Sequence, residues 1–362
     1  MVTPKKSALS ENAGILQPNI VSIAAIAKIQ NFRNQKPSIA DLISGIITGN
    51  KTALSRAITI IESNNADHQK NATEIVNKCL PHANKSIRIG ITGVPGVGKS
   101  TFIEAFGLHL TSLGKKVAVL AVDPSSTISH GSILGDKTRM EQLVNNPNAF
   151  IRPTASGETL GGVARKTRET IVLCEAAGYD VVLIETVGVG QSETAVHSMV
   201  DFFLLLKISG AGDGLQGIKR GIMEMADAVV INKADGDNVT KANLAKTEFG
   251  RALHLFSEKK SGWIPRVATC SAIENTGIDA VWKIISDYFE LTSENNFFQE
   301  NRTSQNLFWM METINDRLKS HFYDNENIKK MILENSELIS KNEKSPFEAA
   351  NELLDFYFGE KI

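Results

Sequence analysis

Apolar residues follow two alternating patterns along the chain, short continuous runs and longer stretches at helical spacing. The continuous runs predict buried strands at residues 87–92, 117–122, 181–185, 202–206, 228–232 and 266–271. Helical patterns separate these runs. The strand-then-helix alternation predicts an α/β fold, in which helices cover both faces of a mostly parallel central sheet.

Helical patterns also precede and follow this block. Ile39, Leu42, Ile43 and Ile46 recur at helical spacing, as do Leu54, Ile58 and Ile61 further on. After Tyr288 the strand pattern stops, and residues 301–322, 327–339 and 346–358 predict amphipathic helices. We expect an N-terminal helical extension at 1–84 with a weakly ordered lead-in over residues 1–36, an α/β domain at 85–295 and a C-terminal helical arm at 296–362.

The C-terminal arm carries an apolar stripe, for which association with a second copy and packing onto the parent domain are both open. The stripe comprises Leu307, Met310, Met311, Ile314 and Leu318.

Composition and charge exclude several classes of protein. The chain has 42% hydrophobic and 22% charged residues, typical of a soluble globular protein, and its formal net charge of -1 disfavours nucleic acid and anionic membranes as partners. No apolar run approaches the ~20 residues of a membrane span, and the N-terminus lacks a signal core, so we expect a cytoplasmic protein. Cys79, Cys174 and Cys270 lie far apart, which predicts buried, reduced thiols.

A glycine-rich loop follows the first predicted strand and opens a helix. Its sequence fits the P-loop pattern G-x-x-x-x-G-K-S, in which backbone N–H groups cradle phosphates. We expect Lys99 to reach the β- and γ-phosphates and Ser100 to bind Mg²⁺. The predicted cradle comprises Gly93, Val94, Pro95, Gly96, Val97, Gly98, Lys99, Ser100 and Thr101.

Carboxylates near strand ends predict the rest of the magnesium site. Asp123 and Glu185 end predicted strands, where ligands of α/β sheets bind. We expect Asp123 to organise Mg²⁺ or its water and Glu185 to hold a magnesium-bound or attacking water, while the N–H of Gly188 senses the γ-phosphate. Asp136 lies in a polar loop and either approaches the metal with GTP bound or stays solvated. Because residue 189 is valine, where Ras-type sites have glutamine, we predict slow intrinsic turnover.

Asn232-Lys-Ala-Asp235 follows another predicted strand and indicates guanine. An ionised aspartate only accepts hydrogen bonds, so Asp235 matches the N1–H and amino donors of guanine and opposes the acceptor N1 of adenine. Asn232 is expected to tie the base-binding loops together and Lys233 to stack on the base. Ser271 and Ala272 follow the last strand and are candidates to donate backbone N–H groups to the guanine carbonyl.

Four segments together resemble the methylmalonyl-CoA mutase-associated GTPases, also called the MeaB/ArgK family. They are GVPGVGKST, VDPSS, ETVGVGQSE and GAGDGLQGIKRGIMEMAD at residues 210–227. The resemblance implies a P-loop NTPase fold, a homodimer and a chaperone for an adenosylcobalamin-dependent acyl-CoA mutase, which gates cofactor loading and protects the mutase. Cobalamin enters only through the resemblance.

The resemblance also assigns residues. Lys99, Ser100, Asp123, Asp136 and Glu185 match the family's phosphate and magnesium positions. Residues 213–219 match a third mobile switch, in which Gln216 and Lys219 are the expected working residues. Gly214 departs from the bulkier acidic residue expected there, which predicts a looser switch in this chain.

Three other functions are open on the sequence. A nickel-insertion metallochaperone GTPase shares this architecture, but a His-rich tract would be expected, and the seven histidines are scattered. A small-molecule kinase would transfer the γ-phosphate to an acceptor. A pure binding module would hold the nucleotide without turnover.

Overall fold

A seven-stranded sheet forms the centre of the protein, shown by a computed structural model that describes residues 37–63, 65–122, 140–153, 160–186, 192–210 and 220–359. All strand pairs are parallel, and the spatial order is β3-β2-β4-β1-β5-β6-β7. The strands are β1 Ile87–Thr92, β2 Val117–Val122, β3 Ala149–Pro153, β4 Val181–Thr186, β5 Phe202–Ile208, β6 Ala228–Asn232 and β7 Arg266–Thr269. The α/β prediction is confirmed.

Strand β3 was missed by the sequence analysis. It lies at the edge of the sheet and pairs only with β2 among the described residues. Its sequence, Ala-Phe-Ile-Arg-Pro, lacks a long apolar run, and an edge strand tolerates a proline that cannot donate to a neighbour. Arg152 of this strand forms an ion pair with Glu62 of the N-terminal helices. Strand β7 ends at Thr269, two residues before the predicted end.

The helices occupy both faces of the sheet and both ends of the chain. They are α1 Ile39–Ile47, α2 Lys51–Glu62, α3 Ala66–Cys79, α4 Lys99–Ser112, α5 Glu141–Val144, α6 Leu160–Ala176, α7 Ser192–His197, α8 Arg220–Met225, α9 Val239–Leu253, α10 Ile278–Glu294, α11 Phe297–Asp324, α12 Glu326–Ser340 and α13 Pro346–Phe358. None of the helices in the described part of the chain is long and apolar enough to cross a membrane.

The N-terminal helices belong to the core on one face of the sheet. Ser38 caps α1 through a reciprocal pair of hydrogen bonds with Asp41, which fixes where the helix begins. Leu42, Ile46 and Ile58 are fully or almost fully buried in the same cluster as residues of α6 and β4. The apolar spacing that predicted these helices is therefore the spacing of the residues that are buried in this core.

The other face of the sheet has its own core, which holds the helix after the glycine-rich loop. Phe102 and Phe106 of α4 are fully buried and stack with ring centroids 5.5 Å apart. They pack in one cluster with β1, β2 and Ile285 of α10. Cys79, Cys174 and Cys270 are buried and unpaired with one another, as predicted.

Helix α11 has a buried face and an exposed face. Arg302, Gln305 and Trp309 are buried against the α/β domain. The apolar stripe lies on another face of the same helix, and its residues are between 44% and 58% exposed: Leu307, Met310, Met311, Ile314 and Leu318. In the described part of the chain, about half of the stripe's surface therefore stays uncovered.

Candidate functional site

The glycine-rich loop runs from the end of β1 at Thr92 to the start of α4 at Lys99. At two of its glycines, neighbouring atoms lie too close for any side chain. A Cβ atom on Gly93 would lie 2.5 Å from the carbonyl oxygen of Leu206, and one on Gly98, whose φ is 90°, would lie 2.8 Å from Nδ2 of Asn232. The loop therefore fits tightly between β5 and the end of β6, and its backbone groups line the edge of the sheet.

Lys99 lies over this loop. The residue is 9% exposed, and its Nζ donates hydrogen bonds to the carbonyl oxygens of Gly93 at 2.8 Å and Val94 at 3.4 Å. Burial lowers the pKa of Lys99, while the charges of Glu185 and Glu193 oppose that shift. The ammonium group is thus held at the loop by two backbone carbonyl oxygens, where it can interact with an anionic ligand.

Ser100 and Glu185 meet beside the glycine-rich loop. Ser100 lies in the first turn of α4, Glu185 at the end of β4, and the Ser100 hydroxyl donates to Oε1 of Glu185 at 3.4 Å. Two hard oxygen donors therefore face one point beside the loop. In the described parts of the chain, no group of three or more His, Cys, Asp or Glu residues forms a metal cage. Mg²⁺ does not need such a cage, because it keeps several waters and takes ligands from substrate phosphates.

Asn232 connects the glycine-rich loop with the segment after β7. Its Nδ2 donates to the carbonyl oxygen of Val97 at 2.9 Å, and its Oδ1 accepts the backbone N–H of Ala272 at 3.4 Å. Lys233 has a φ of 58°, and its Nζ donates to the carbonyl oxygen of Gly96 at 3.0 Å. Asn232 and Lys233 thereby align the end of β6 with the glycine-rich loop.

Asp235 is held by Ser271. The Ser271 hydroxyl donates to Oδ2 of Asp235 at 2.6 Å and accepts the backbone N–H of Glu274 at 3.1 Å. From the sequence, only a backbone role is expected for Ser271. A two-residue motif carries no signal for this side-chain contact, because Ser271 and Asp235 lie 36 positions apart.

Most of the predicted site residues come together at one edge of the sheet: the glycine-rich loop with Lys99 and Ser100, Glu185, Asn232, Lys233, Asp235, Ser271 and Ala272. Val94 and Pro95 lie on the more open side of the loop, and Thr101 is exposed on α4. Five predicted site residues lie outside the described residues: Asp123, Asp136, Gly188, Gln216 and Lys219. Val189 and Gly214 also lie outside them.

Glu193 is a neighbour of this site that the sequence analysis did not assign. It is 2% exposed in the first turn of α7, and its charge acts on Lys99. In the sequence, Glu193 is marked only by its place at the end of the ETVGVGQSE run. A glutamate that is buried there needs a positive neighbour.

Comparisons with known proteins show which family the chain is similar to. The family model of the methylmalonyl Co-A mutase-associated GTPase MeaB matches residues 54–327. GTPase ArgK of Escherichia coli (strain K12) is 44% identical over 319 residues, which cover 88% of this chain and 96% of that protein. The mitochondrial methylmalonic aciduria type A homolog of Mus musculus is 42% identical over 323 residues, 86% of this chain and 78% of that protein.

A solved structure supports the same assignment. The crystal structure of a protein named LAO/AO transport system kinase superposes with a TM-score of 0.71 at 39% identity, covering 88% of this chain and 97% of that one. The loop, the Asn-Lys-x-Asp segment and the family match point to one enzyme class. The chain therefore belongs to the methylmalonyl Co-A mutase-associated GTPase family MeaB, and it is a P-loop enzyme that hydrolyses GTP.

Proposed function

We propose that this GTPase is magnesium-dependent and acts as a chaperone for an adenosylcobalamin-dependent acyl-CoA mutase of the methylmalonyl-CoA mutase type. In this role it gates cofactor loading and protects the mutase. The observation that supports the nucleotide part is the convergence of Lys99, the Ser100–Glu185 pair and Asp235 on one sheet edge. Family membership and the name of the mouse relative support the mutase part.

Ser100 and Glu185 are the described residues that would hold Mg²⁺. The hydroxyl is a direct ligand in this proposal, and the carboxylate binds the metal or one of its waters. Asp123 and Asp136 complete the proposed set. When bound, the metal neutralises charge on the phosphate oxygens, which lowers the cost of charge build-up on the leaving group.

Hydrolysis requires water to attack the γ-phosphorus as the bond to the β–γ bridging oxygen breaks, giving GDP and phosphate. Lys99 stabilises the charge on these phosphates, and the loop N–H groups orient them. Val189 leaves no glutamine side chain at the position that orients water in Ras-type sites. We therefore propose slow intrinsic turnover that a partner accelerates through residues 213–219, with Gln216 and Lys219 as the contacting side chains.

The exposed stripe of α11 supports a homodimer. Its five apolar side chains form one face of a helix at i, i+3, i+4, i+7 and i+11 spacing. Such a face is stabilised when it is covered, and a second copy of the arm at 296–362 offers the same apolar surface. The domain limits at 84 and 295 stay predictions. The cytoplasmic location also stays a prediction, because the relatives include both a bacterial protein and one named mitochondrial.

The test measures phosphate release from GTP and ATP with magnesium, with and without an adenosylcobalamin-dependent acyl-CoA mutase from the same source. We expect slow, GTP-selective turnover that rises when the mutase is added. Turnover that ignores the mutase would keep the GTPase and contradict the proposed client.

A small-molecule kinase is a second candidate, because a protein named LAO/AO transport system kinase shares 39% identity with this chain. A kinase transfers the γ-phosphate to an acceptor other than water. GTP labelled in its γ-phosphate distinguishes the two: label in free phosphate supports the GTPase, and label in an organic acceptor supports the kinase.

A further inference from the structure

Two buried threonine hydroxyls join the ends of β1 and β4. Oγ1 of Thr186 donates to Oγ1 of Thr92 at 2.8 Å, and the two residues are 0% and 1% exposed. The parallel register pairs Ile91 with Glu185, so this contact lies one residue further toward the site. Thr92 directly precedes the glycine-rich loop, and Thr186 directly follows Glu185.

Burying a hydroxyl at either position costs free energy of folding that a valine at the same position would not cost. Threonine and valine share the branched shape that suits a strand, but a buried hydroxyl loses its hydration unless it finds a partner. Here each hydroxyl is the other's partner. Because χ1 of a β-branched residue is stiff, the bond fixes the separation of the two backbones and does more than fill space.

The pair acts from the opposite face of the sheet to Glu185. Side chains alternate along a strand, so Thr186 and Glu185 point to different faces. Thr92 shares its face with Gly90, where an added Cβ would meet Val196 of α7 at 3.1 Å. The threonines are therefore separated from the Ser100–Glu185 pair by the backbone of the sheet. They can position that pair but cannot contact a ligand there.

We infer that Thr92 and Thr186 are positioning residues that set the spacing between Ser100 and Glu185. Ser100 is carried by the loop and helix that follow Thr92, and Glu185 is the residue next to Thr186. The two oxygen donors lie 3.4 Å apart across these same chain segments. A shift of one strand end relative to the other changes that distance directly, and Mg²⁺ demands near-ideal octahedral geometry. The inference rests on the proposed magnesium role of Ser100 and Glu185.

The test measures how much magnesium is needed to half-saturate the binding of a non-hydrolysable GTP analogue to the full chain. Thr186→Val and Thr92→Val each remove the bond while keeping the shape. We expect the half-saturating magnesium concentration to rise about fivefold in each, the effect of losing one neutral hydrogen bond. Affinity for GDP measured in EDTA should stay at the wild-type value, because it does not depend on the metal.

Two controls separate positioning from general stability. Thr186→Ser keeps the hydroxyl but not the stiff branched side chain, and should bring the magnesium requirement most of the way back to the wild-type value. Thr170→Val removes another buried hydroxyl, which donates to the carbonyl oxygen of Lys166 at 2.8 Å within α6, and should leave the requirement unchanged. If Thr186→Val does not fold, the double Thr92→Val, Thr186→Val variant replaces it, since it leaves no unpaired hydroxyl at the buried site.

Each outcome has one meaning. A raised magnesium requirement in the valine variants, rescued by serine, supports the inference. A lowered melting temperature with an unchanged magnesium requirement overturns it and leaves the pair a purely structural role. Wild-type binding that ignores magnesium would contradict the proposed metal site itself and overturn the inference with it.

Discussion

Arg302 and Asp201 form a buried two-pronged ion pair between α11 and the segment before β5. Nε of Arg302 donates to Oδ1 of Asp201 at 2.9 Å and Nη2 donates to Oδ2 at 2.7 Å. The same guanidinium donates to the carbonyl oxygens of Asn84 at 2.9 Å and Ser86 at 2.6 Å. One side chain thus connects the C-terminal arm to β5 and to the segment that leads into β1.

Replacing Arg302 should strongly destabilise the protein. Arg302→Met keeps an apolar stem but leaves the Asp201 carboxylate buried without its charged partner. Removing one member of a buried pair costs ~3–5 kcal/mol of the free energy of unfolding. Urea unfolding measures this loss.

Arg266→Met is the matched control for this prediction. Arg266 pairs with Asp287 at 2.6 Å, but its side chain is 49% exposed, so the same substitution should cost ~0–1 kcal/mol. Equal losses in the two variants would show that burial of the Arg302–Asp201 pair adds nothing to stability.

The sequence predicted the strands better than it predicted what connects them. Strands β4 and β5 are continuous apolar runs because they are buried on both faces, and such runs are readable locally. The Arg302–Asp201 pair joins residues 101 positions apart, and a single arginine in an amphipathic helix usually faces solvent. Long-range pairing of this kind has no local sequence signal.

The same distinction holds at the site. The P-loop and the Asn232–Asp235 segment were readable because fixed spacing around one turn is what binds phosphate and base. The Thr92–Thr186 bond was not readable, because it depends on β1 and β4 being neighbours in the sheet, which chain order does not give. Both threonines simply continue the β-branched composition of their strands.

Because of Glu175, the free energy of unfolding should fall as the pH becomes acidic. It accepts hydrogen bonds from Nε of Arg88 at 2.8 Å, the Ser86 hydroxyl at 2.7 Å and the Asn84 N–H at 2.9 Å. Burial alone raises the pKa of Glu175, but these bonds outweigh it, so its pKa lies below the ordinary 4.5. A lowered folded-state pKa contributes stability that is complete above the unfolded pKa and is lost as pH falls through the folded value.

The measurement compares wild type with Glu175→Gln by urea unfolding between pH 7 and pH 3. The difference in free energy of unfolding should be largest and constant above about pH 5, at ~3–5 kcal/mol, because the variant leaves Arg88 buried without its charge partner. It should shrink as the pH falls below the ordinary pKa of a glutamate. Glu294→Gln, at an exposed position of α10, is the control. A difference that is independent of pH would contradict the prediction.

Asp235 should decide the choice of base. Asp235→Asn replaces one acceptor by an amide donor, which opposes the amino group of guanine but matches the carbonyl that xanthine carries at the same ring position. Losing a hydrogen bond to a charged group costs ~1.5–3 kcal/mol, so GTP affinity should fall by about 10- to 100-fold while xanthosine triphosphate gains. Equilibrium binding of both nucleotides measures the switch. Asp237→Asn, two residues away and exposed, should alter neither affinity.

Lys99→Ala and Lys219→Ala should impair different functions of the protein, the first nucleotide binding and the second stimulation by the mutase. Lys99 lies over the glycine-rich loop, with its Nζ 2.8 Å from the carbonyl oxygen of Gly93, so Lys99→Ala should abolish productive nucleotide binding. Lys219→Ala should keep GDP affinity within about twofold, because the loop and base contacts are intact, and reduce stimulation by the mutase about tenfold or more, the effect of one charge-assisted hydrogen bond.

Nucleotide binding and phosphate release, each with and without saturating mutase, separate these two failures. Lys241→Ala on the exposed surface of α9 controls for the loss of a positive charge. If Lys219→Ala lowered nucleotide binding as severely as Lys99→Ala, Lys219 would belong to the phosphate site. If stimulation by the mutase survived in Lys219→Ala, the signal to the partner would have to leave the GTPase through a different side chain, and Gln216 would be the next to change.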